Sequence, residues 1–80
     1  MKYVYLLQSL KYPKQRYVGI SSNLENRLAD HNSGKSPHTS KYLPWKIIAC
    51  IGLEDDCMAV RFEKYLKSGS GRSFAQRHLW

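Results

Sequence analysis

Two short segments near the start of the chain are rich in aromatic and branched apolar residues, and a polar stretch separates them. The first runs from Tyr3 to Gln8 and the second from Arg16 to Ile20. The stretch between them contains Tyr12, Pro13 and Lys14, a composition that favours a turn. Because tyrosine, valine and isoleucine are enriched in strands, this pattern predicts a β-hairpin.

A helix is predicted directly after the hairpin. Ser22 and Glu25 have the S-x-x-E spacing of a capping box, in which the hydroxyl and the carboxylate bind free amides at a helix start. We therefore expect a helix from Asn23 to about Asn32, and Gly34 is well placed to end it.

The middle of the chain changes from polar and irregular to apolar. Residues from Lys35 to Pro44 include serine, proline, histidine and lysine without any periodicity, so an exposed basic loop is expected there. The apolar segment from Trp45 to Ile51 is predicted to form a third strand.

A second amphipathic helix is predicted after this strand. Asp55 and Asp56 supply an N-cap and a favourable negative charge, and the helix is expected to run to about Lys67. Its apolar stripe consists of Ala59, Phe62 and Leu66. A break is expected from Ser68 to Gly71, followed by a short helix from Ser73 to Leu79.

The predicted order of elements is β-β-α-β-α with a short additional helix at the C-terminal end. A chain of 80 residues leaves no room for a second core, so residues 1–80 are expected to form one domain. The expected fold class is α+β, with a three-stranded, mainly antiparallel sheet flanked by helices.

The charge balance of the chain suggests a partner. Thirteen lysines and arginines against six acidic residues give a net charge of +7 and an isoelectric point near 9.7. Such a field attracts polyanions, of which nucleic acid is the first to consider. The same charge would also keep a small protein in solution, so charge alone leaves both interpretations open.

The cysteines and the apolar runs bear on the expected location of the chain. Cys50 and Cys57 lack the C-x-x-C spacing of a zinc or redox site and are expected to be buried free thiols. The longest apolar run, Ile47 to Leu53, is interrupted by Gly52 and is too short to cross a bilayer. The N-terminus has no apolar stretch of signal-peptide length, so we expect a cytoplasmic location and no membrane partner.

Three polar residues are predicted to lie at the apolar edges of the helices. Arg27 and His31 are close to the apolar edge of the first helix, and Glu63 is at the margin of the stripe on the second. Each has an ordinary structural explanation when taken singly. Arg27 could lay its alkyl stem over the sheet, His31 could bind the backbone, and Glu63 could pair with Lys67 at i,i+4.

Tyr5 and Tyr17, in the predicted strands, have an ordinary explanation as strand aromatics. Together, however, the five residues contain what phosphodiester hydrolysis requires: a base for water, a cation for the phosphate and a carboxylate for a metal. Magnesium often takes only one or two protein carboxylates and keeps several waters, so Glu63 alone is sufficient to hold it.

The order and spacing of these residues resemble the GIY-YIG nuclease family. The residues that carry the resemblance are Tyr3-Val4-Tyr5, Tyr17-Val18-Gly19, Arg27, His31 and Glu63. The stretch YVGISSNLENRLADHNSGK looks especially like the small stand-alone members, and the chain resembles the catalytic domain of the family's excision-repair nuclease. The chain departs from the family pattern at Tyr3, in place of glycine, and at Ile20, where some members carry a lysine. It also has no clear counterpart of an asparagine that many members have near the end.

The resemblance implies a role for each of the five residues. Tyr5 and Tyr17 would place or activate the attacking water, and His31 would assist proton transfer or act as the base itself. Arg27 would bind the scissile phosphate, and Glu63 would ligate Mg²⁺ or Mn²⁺. Which of the two tyrosines and the histidine takes the proton from water stays open at this point.

Further residues are expected around this site. Gly19 would let backbone or substrate come close at a strand end, although a simple bulge would also explain it. Contacts to nucleic-acid phosphates are expected from four basic residues, Arg27, Lys35, Lys41 and Lys46.

The expected function is hydrolysis of DNA phosphodiester bonds by a metal-dependent endonuclease that acts in repair or recombination. A chain of this size offers little recognition surface, which favours recognition of branched, flapped or single-stranded DNA over sequence, and a larger protein partner. The alternative is a catalytically weak or inactive nucleic-acid-binding module on the same fold.

Overall fold

A computed structural model describes all 80 residues of the chain. The elements follow in the order β1 (Lys2–Ser9), β2 (Arg16–Ser21), α1 (Leu24–Asn32), β3 (Trp45–Leu53), α2 (Asp56–Lys67) and α3 (Gly69–His78). The α+β class and the three-stranded antiparallel sheet flanked by helices are confirmed.

The central strand of the sheet is β1, and the strand order is β2-β1-β3 with both pairs antiparallel. In the hairpin, Tyr5 lies opposite Gly19 and Leu7 lies opposite Tyr17. The pairing of β1 with β3 shifts register between Leu6 and Leu7. Strand β3 extends beyond its predicted end because Gly52 pairs with Tyr3 through the backbone, which does not require a side chain.

The sheet has a core cluster on each face, because successive side chains of a strand point to opposite sides. Val4 and Leu6 belong to a cluster with residues of α2 and α3, namely Ala59, Leu66 and Ala75. Tyr5 and Leu7 belong to a second cluster with Trp45, against which residues of α1 pack. Alternation along β1 therefore assigns Tyr5 to the α1 side of the sheet.

The first helix begins one residue later than the capping box predicted. The cap is Asn23, whose Oδ1 accepts a hydrogen bond from the amide of Asn26 at 3.1 Å, and Ser22 is exposed. Asparagine is as good an N-cap as serine. The Ser21 hydroxyl accepts a hydrogen bond from the amide of Asn23 at 3.0 Å, which holds Asn23 at the cap position, so the helix starts one residue later than predicted. The predicted end is confirmed, since Gly34 follows the helix with a left-handed φ of 81°.

The segment between α1 and β3 is not the wholly exposed loop that its composition predicts. Lys35 and Lys41 are exposed, but Thr39 is only 1% exposed. The indole Nε1 of Trp45 donates to the carbonyl oxygen of Thr39 at 2.9 Å. Asn32 also accepts from the Trp45 amide at 2.6 Å and donates to its carbonyl at 3.1 Å. These bonds hold the segment against α1 and β3.

The two C-terminal helices meet at one residue, where the sequence predicted a longer break. The N-cap of α2 is Asp55, as expected, with its carboxylate accepting from the amides of the first turn. Ser68 ends α2 and caps α3, because its hydroxyl donates to the carbonyl of Tyr65 at 2.6 Å and accepts from the amide of Gly71 at 3.3 Å. Helix α3 therefore starts at Gly69, four residues before the predicted start at Ser73.

The prediction of buried cysteines is wrong. Both Cys50 and Cys57 are free thiols, but both are exposed. Cys50 lies on β3, an outer strand of the sheet, and Cys57 lies in the first turn of α2. These positions near the edge of a small domain leave a side chain in contact with solvent. None of the three helices is both long and apolar enough to cross a membrane.

Candidate active site

The hydroxyl of Tyr5 is the centre of a cluster of polar side chains on the α1 side of the sheet. Its oxygen lies 3.0 Å from Nε2 of His31 and accepts a hydrogen bond from Nε of Arg27 at 3.3 Å. Arg27 and His31 are one helical turn apart on α1, so both side chains reach the same point on β1. The ring of Tyr17 lies beside both, with its centroid 4.9 Å from that of His31 and 6.3 Å from that of Tyr5.

The second ring nitrogen of His31 is held by Thr39, a residue that no sequence pattern singled out. Nδ1 of His31 lies 2.7 Å from Oγ1 of Thr39, and both side chains are buried. Since a buried polar group without a partner is costly, this contact satisfies both residues at once. The only signal in the sequence is a threonine among the polar residues that follow the helix, which is too common to be informative.

Gly19 leaves the space that the Tyr5 ring occupies. A Cβ atom at this position would collide with the Tyr5 ring and hydroxyl and would lie 2.9 Å from Cε2 of Tyr17. Gly19 is not a bulge, because it pairs in register with Tyr5 and the shift in the sheet lies elsewhere, between Leu6 and Leu7. The absence of a side chain therefore lets the two tyrosines approach each other across the hairpin.

The protons of this cluster can be arranged in two ways. In one, the Tyr5 hydroxyl donates to Nε2 of His31, and Nδ1–H donates to Thr39. In the other, the Thr39 hydroxyl donates to Nδ1, and Nε2–H donates to the Tyr5 oxygen, which then accepts from both His31 and Arg27. The second arrangement stabilises negative charge on Tyr5, because both donors point at its oxygen.

Burial controls the titration of the two most enclosed groups. Burial raises the pKa of Tyr5 above its usual value of 10.0, and the hydrogen bond from Arg27 opposes that rise. Burial lowers the pKa of His31 below its usual value of 6.5, and the positive charge of Arg27 lowers it further. The bond to Tyr5 raises the pKa of Arg27, which stays charged. At neutral pH the cluster therefore consists of a neutral phenol, a neutral imidazole and a guanidinium.

Glu63, on α2, is linked to the cluster through Lys67. Its carboxylate pairs with Lys67 one turn later, and its side chain is 14% exposed. The Nζ atom of Lys67 lies 5.8 Å from the centroid of the Tyr17 ring. The negative charge of Glu63 is also close enough to Tyr5 to add to the rise in its pKa. Lys67, which the sequence predicted as an ion-pair partner of Glu63, thus brings a positive charge beside Tyr17.

The basic residues expected to bind phosphate lie at different distances from this cluster. Arg27 belongs to it, and its Nη1 lies 3.9 Å from Asp30, whose carboxylate is 3.8 Å from Nζ of Lys35. Lys41 is exposed in the segment after α1. Lys46 lies on β3, which the central strand separates from Tyr17 on β2. The structure thus brings Arg27 and Lys35 together and leaves Lys46 at the opposite edge of the sheet from Tyr17.

The donor set decides which metal the site could hold. No group of three or more histidine, cysteine or acidic side chains is placed to bind one ion. A zinc site would need such a group. Magnesium keeps most of its waters and is satisfied by one or two carboxylates with substrate oxygens, so the single carboxylate of Glu63 fits hydrated Mg²⁺ or Mn²⁺.

This arrangement of elements and residues corresponds to a known family. A family model described as the GIY-YIG catalytic domain matches residues 1–76. The chain belongs to the GIY-YIG family of nuclease domains, as the spacing of its tyrosines, arginine, histidine and glutamate predicted.

The chain is similar to two proteins of known sequence and to one solved structure. The UPF0213 protein YsiG of Lactococcus lactis is 36% identical over 66 residues, which cover 81% of this chain and 62% of that protein. The structure-specific endonuclease subunit slx1 of Xenopus laevis is 37% identical over 67 residues, which cover 75% of this chain and 24% of that protein. The solution NMR structure of the UPF0213 protein BH0048 from Bacillus halodurans aligns with a TM-score of 0.56 at 28% identity, covering 95% of this chain and 81% of that chain. The chain spans less than two thirds of the length of both sequence relatives.

Proposed function

We propose that this chain is a divalent-metal-dependent endonuclease that hydrolyses phosphodiester bonds in branched, flapped or single-stranded DNA, in repair or recombination. The observation that carries the proposal is the cluster around the Tyr5 hydroxyl, where Arg27 and His31 converge from α1, with Glu63 on α2 paired to Lys67 beside the Tyr17 ring. The similarity to structure-specific endonuclease subunits supports selection by DNA shape. Those proteins are much longer than this chain, and each is described as a subunit, which supports a larger protein partner.

Access to water distinguishes the three candidate bases. His31 is fully buried and Tyr5 is 2% exposed, whereas Tyr17 is only partly buried. A general base must lie within hydrogen-bond reach of the water that it deprotonates. We therefore assign the contact with water to Tyr17, and we assign His31 and Tyr5 to holding the guanidinium of Arg27 in place.

Arg27 is suited to the developing negative charge of the phosphate. Its Nε is engaged by Tyr5 and its Nη1 lies beside Asp30, but 42% of its side chain is exposed, so the N–H groups of Nη2 remain free for phosphate oxygens. A guanidinium held by a buried partner loses little freedom when it binds a phosphate, which favours transition-state stabilisation. Glu63 would hold the Mg²⁺ or Mn²⁺. When bound, this ion would act as a Lewis acid toward the phosphate.

A second candidate function is favoured by one contact. Glu63 is already paired with Lys67, so its charge is neutralised where a catalytic metal would need it. A domain of this kind that grips phosphate without cleaving it would be a nucleic-acid-binding module.

Substitution of Glu63 separates the two functions. Glu63→Gln should abolish metal-dependent cleavage while DNA binding in chelator stays at least as tight, because a negative charge near phosphate is lost and Lys67 is released. The assay compares native protein and variant on duplex, single-stranded, flapped and branched DNA, with magnesium, manganese or chelator. The matched control is Glu54→Gln, which removes an exposed acidic side chain outside the cluster.

Two outcomes would change the assignment. Equal cleavage by the native protein and Glu63→Gln would show that Glu63 is not the metal ligand. Absence of cleavage by the native protein on every substrate, with retained binding, would favour the binding module.

A further inference from the structure

A groove adjoins the active-site cluster between β2 and the C-terminal helices. Its volume is about 460 Å³, and its apolar floor includes Val18 and Leu66. The polar and aromatic side chains that line it are Arg16, Tyr17, Lys67, Arg72, Gln76 and Trp80. We name it the β2–α3 groove. Its volume falls within the range of about 300–1,000 Å³ that is typical of sites for small molecules.

The β2–α3 groove is positively charged. Three of its lining residues are cationic, and none is acidic. Lys67 is paired with Glu63, but Arg16 and Arg72 form no ion pair with any carboxylate. Two exposed, unneutralised guanidinium groups beside an apolar floor attract an anion that also has an apolar part.

One wall of the groove is a stacked pair of side chains. The guanidinium carbon of Arg16 lies 4.8 Å from the centroid of the Trp80 ring, and Nη1 of Arg16 donates to Oε1 of Gln76 at 2.9 Å. The bond to Gln76 and the ring of Trp80 both orient Arg16 along this wall of the groove. Arginine planes and aromatic rings are the surfaces on which proteins stack unpaired nucleobases.

The groove is continuous with the cluster through Tyr17. The Tyr17 ring lines the groove and also lies 4.9 Å from the His31 ring, centroid to centroid. Tyr17 therefore borders both the groove and the cluster that contains Arg27, so the groove lies beside the expected phosphate site. In a duplex the bases are stacked on one another and paired, so only an unpaired base offers a face to a side chain.

We propose that the β2–α3 groove binds an unpaired nucleotide of single-stranded DNA next to the scissile phosphate. The phosphate of this nucleotide lies at Arg72, and its base lies against the Arg16–Trp80 pair. This inference rests on the proposed function and adds a physical basis for selection by DNA shape. A substrate with an unpaired strand fills the groove, whereas a blunt duplex leaves it empty.

Binding in chelator tests the groove without requiring cleavage. The probes are an oligothymidylate and a blunt duplex, and affinity is measured by fluorescence anisotropy. Arg72→Gln should weaken binding of the oligothymidylate by about tenfold, with a salt slope smaller by about 0.7, while duplex affinity changes by less than about twofold. The matched control is Arg77→Gln, an exposed arginine on the same helix that does not line the groove.

Tryptophan fluorescence gives a second readout. Trp45 is 4% exposed in the core and Trp80 lines the groove, so stacking of a base should quench mainly Trp80. The oligothymidylate should quench the native protein, and this quenching should be lost in Trp80→Phe.

The outcomes separate this proposal from the proposed function. Equal effects of Arg72→Gln and Arg77→Gln on both probes, or no quenching, would overturn the groove assignment even if the native protein cleaves DNA. Selective loss of oligothymidylate binding by Arg72→Gln in a protein that cleaves nothing would keep the groove and reject the nuclease.

Discussion

At the scale of single residues, the site depends on how each polar group of a buried cluster is satisfied. Tyr5 sits over Gly19 because a glycine has no side chain to exclude it, and its hydroxyl contacts both Arg27 and His31. His31 in turn needs a partner at each ring nitrogen, because it is fully buried. The second partner, Thr39, therefore positions the imidazole and, through it, Tyr5 and Arg27.

Replacement of Thr39 tests this positioning role. Thr39→Val keeps the shape of the side chain but leaves Nδ1 of His31 without a partner, so the free energy of unfolding should fall by about 1–3 kcal/mol. Because Thr39 positions the cluster through His31, kcat should also fall by about tenfold, which corresponds to about 1.4 kcal/mol of transition-state stabilisation. Urea unfolding and single-turnover cleavage measure the two effects.

The control for Thr39 keeps the hydroxyl. Thr39→Ser should retain most of the native activity, because serine offers the same donor and acceptor to His31. A Thr39→Val protein with native stability and native kcat would contradict the positioning role.

At the scale of elements, the joint between α2 and α3 fixes the C-terminal helix, and with it the groove. Ser68 is shared by the two helices as C-cap and N-cap. Gly71 lies so close to the end of α2 that a Cβ atom there would overlap the backbone carbonyl of Tyr65 and approach Cα of Leu66 to 2.7 Å. Because backbone atoms cannot turn away as a side chain can, only glycine permits this packing.

A pair of glycine substitutions in one helix tests this packing. Gly71→Ala should destabilise the fold by about 1–3 kcal/mol, because the added methyl overpacks a backbone contact. Gly69→Ala is the matched control, since no atom lies within 4 Å of the position that its added methyl would take, and the change should be neutral or slightly stabilising. The midpoints of urea unfolding give the comparison, and equal midpoints for the two variants would refute the close-packing explanation.

At the scale of the whole molecule, the sheet separates two clusters, and polar groups of both faces meet near β2. Tyr5 and Tyr17 pack on the α1 side, while Val4 and Leu6 pack against α2 and α3 on the other. Lys67 on α2 nevertheless lies beside the Tyr17 ring, so the site combines residues from both sides of the sheet. The net charge of +7 surrounds this site with an attractive field for DNA.

The charge of the whole molecule gives a prediction for salt. The affinity for DNA should fall steeply and linearly on a plot of log affinity against log salt, with a slope of about −0.9 for each duplex phosphate neutralised and about −0.7 on a single strand. The affinity should depend little on base sequence, because phosphate contacts carry no sequence information. Titrations at several salt concentrations with two unrelated sequences measure both, and an affinity that stays constant as salt rises would argue against phosphate binding.

Most of the fold could be predicted from the sequence because its signals are local. The hairpin, the third strand and α2 follow from strand-forming residues, an N-cap at Asp55 and an apolar stripe of 3.6-residue period. Two helix starts were predicted wrongly. The structure caps α1 at Asn23 instead of Ser22, and it caps α3 at Ser68, earlier than predicted, because neighbouring polar residues compete for the same cap position. The spacing of the tyrosines, Arg27, His31 and Glu63 was also sufficient to indicate the family.

Only the tertiary structure determined which polar groups meet. Thr39 stands in a segment without periodicity and bonds His31 only because the chain folds back over α1. Lys67 lies beside Tyr17, and Arg16 lies over Trp80, although 50 and 64 positions separate them along the chain. Local propensity carries no information about such contacts. They depend on the packing of helices against both faces of the sheet, which the chain reaches only when it is folded.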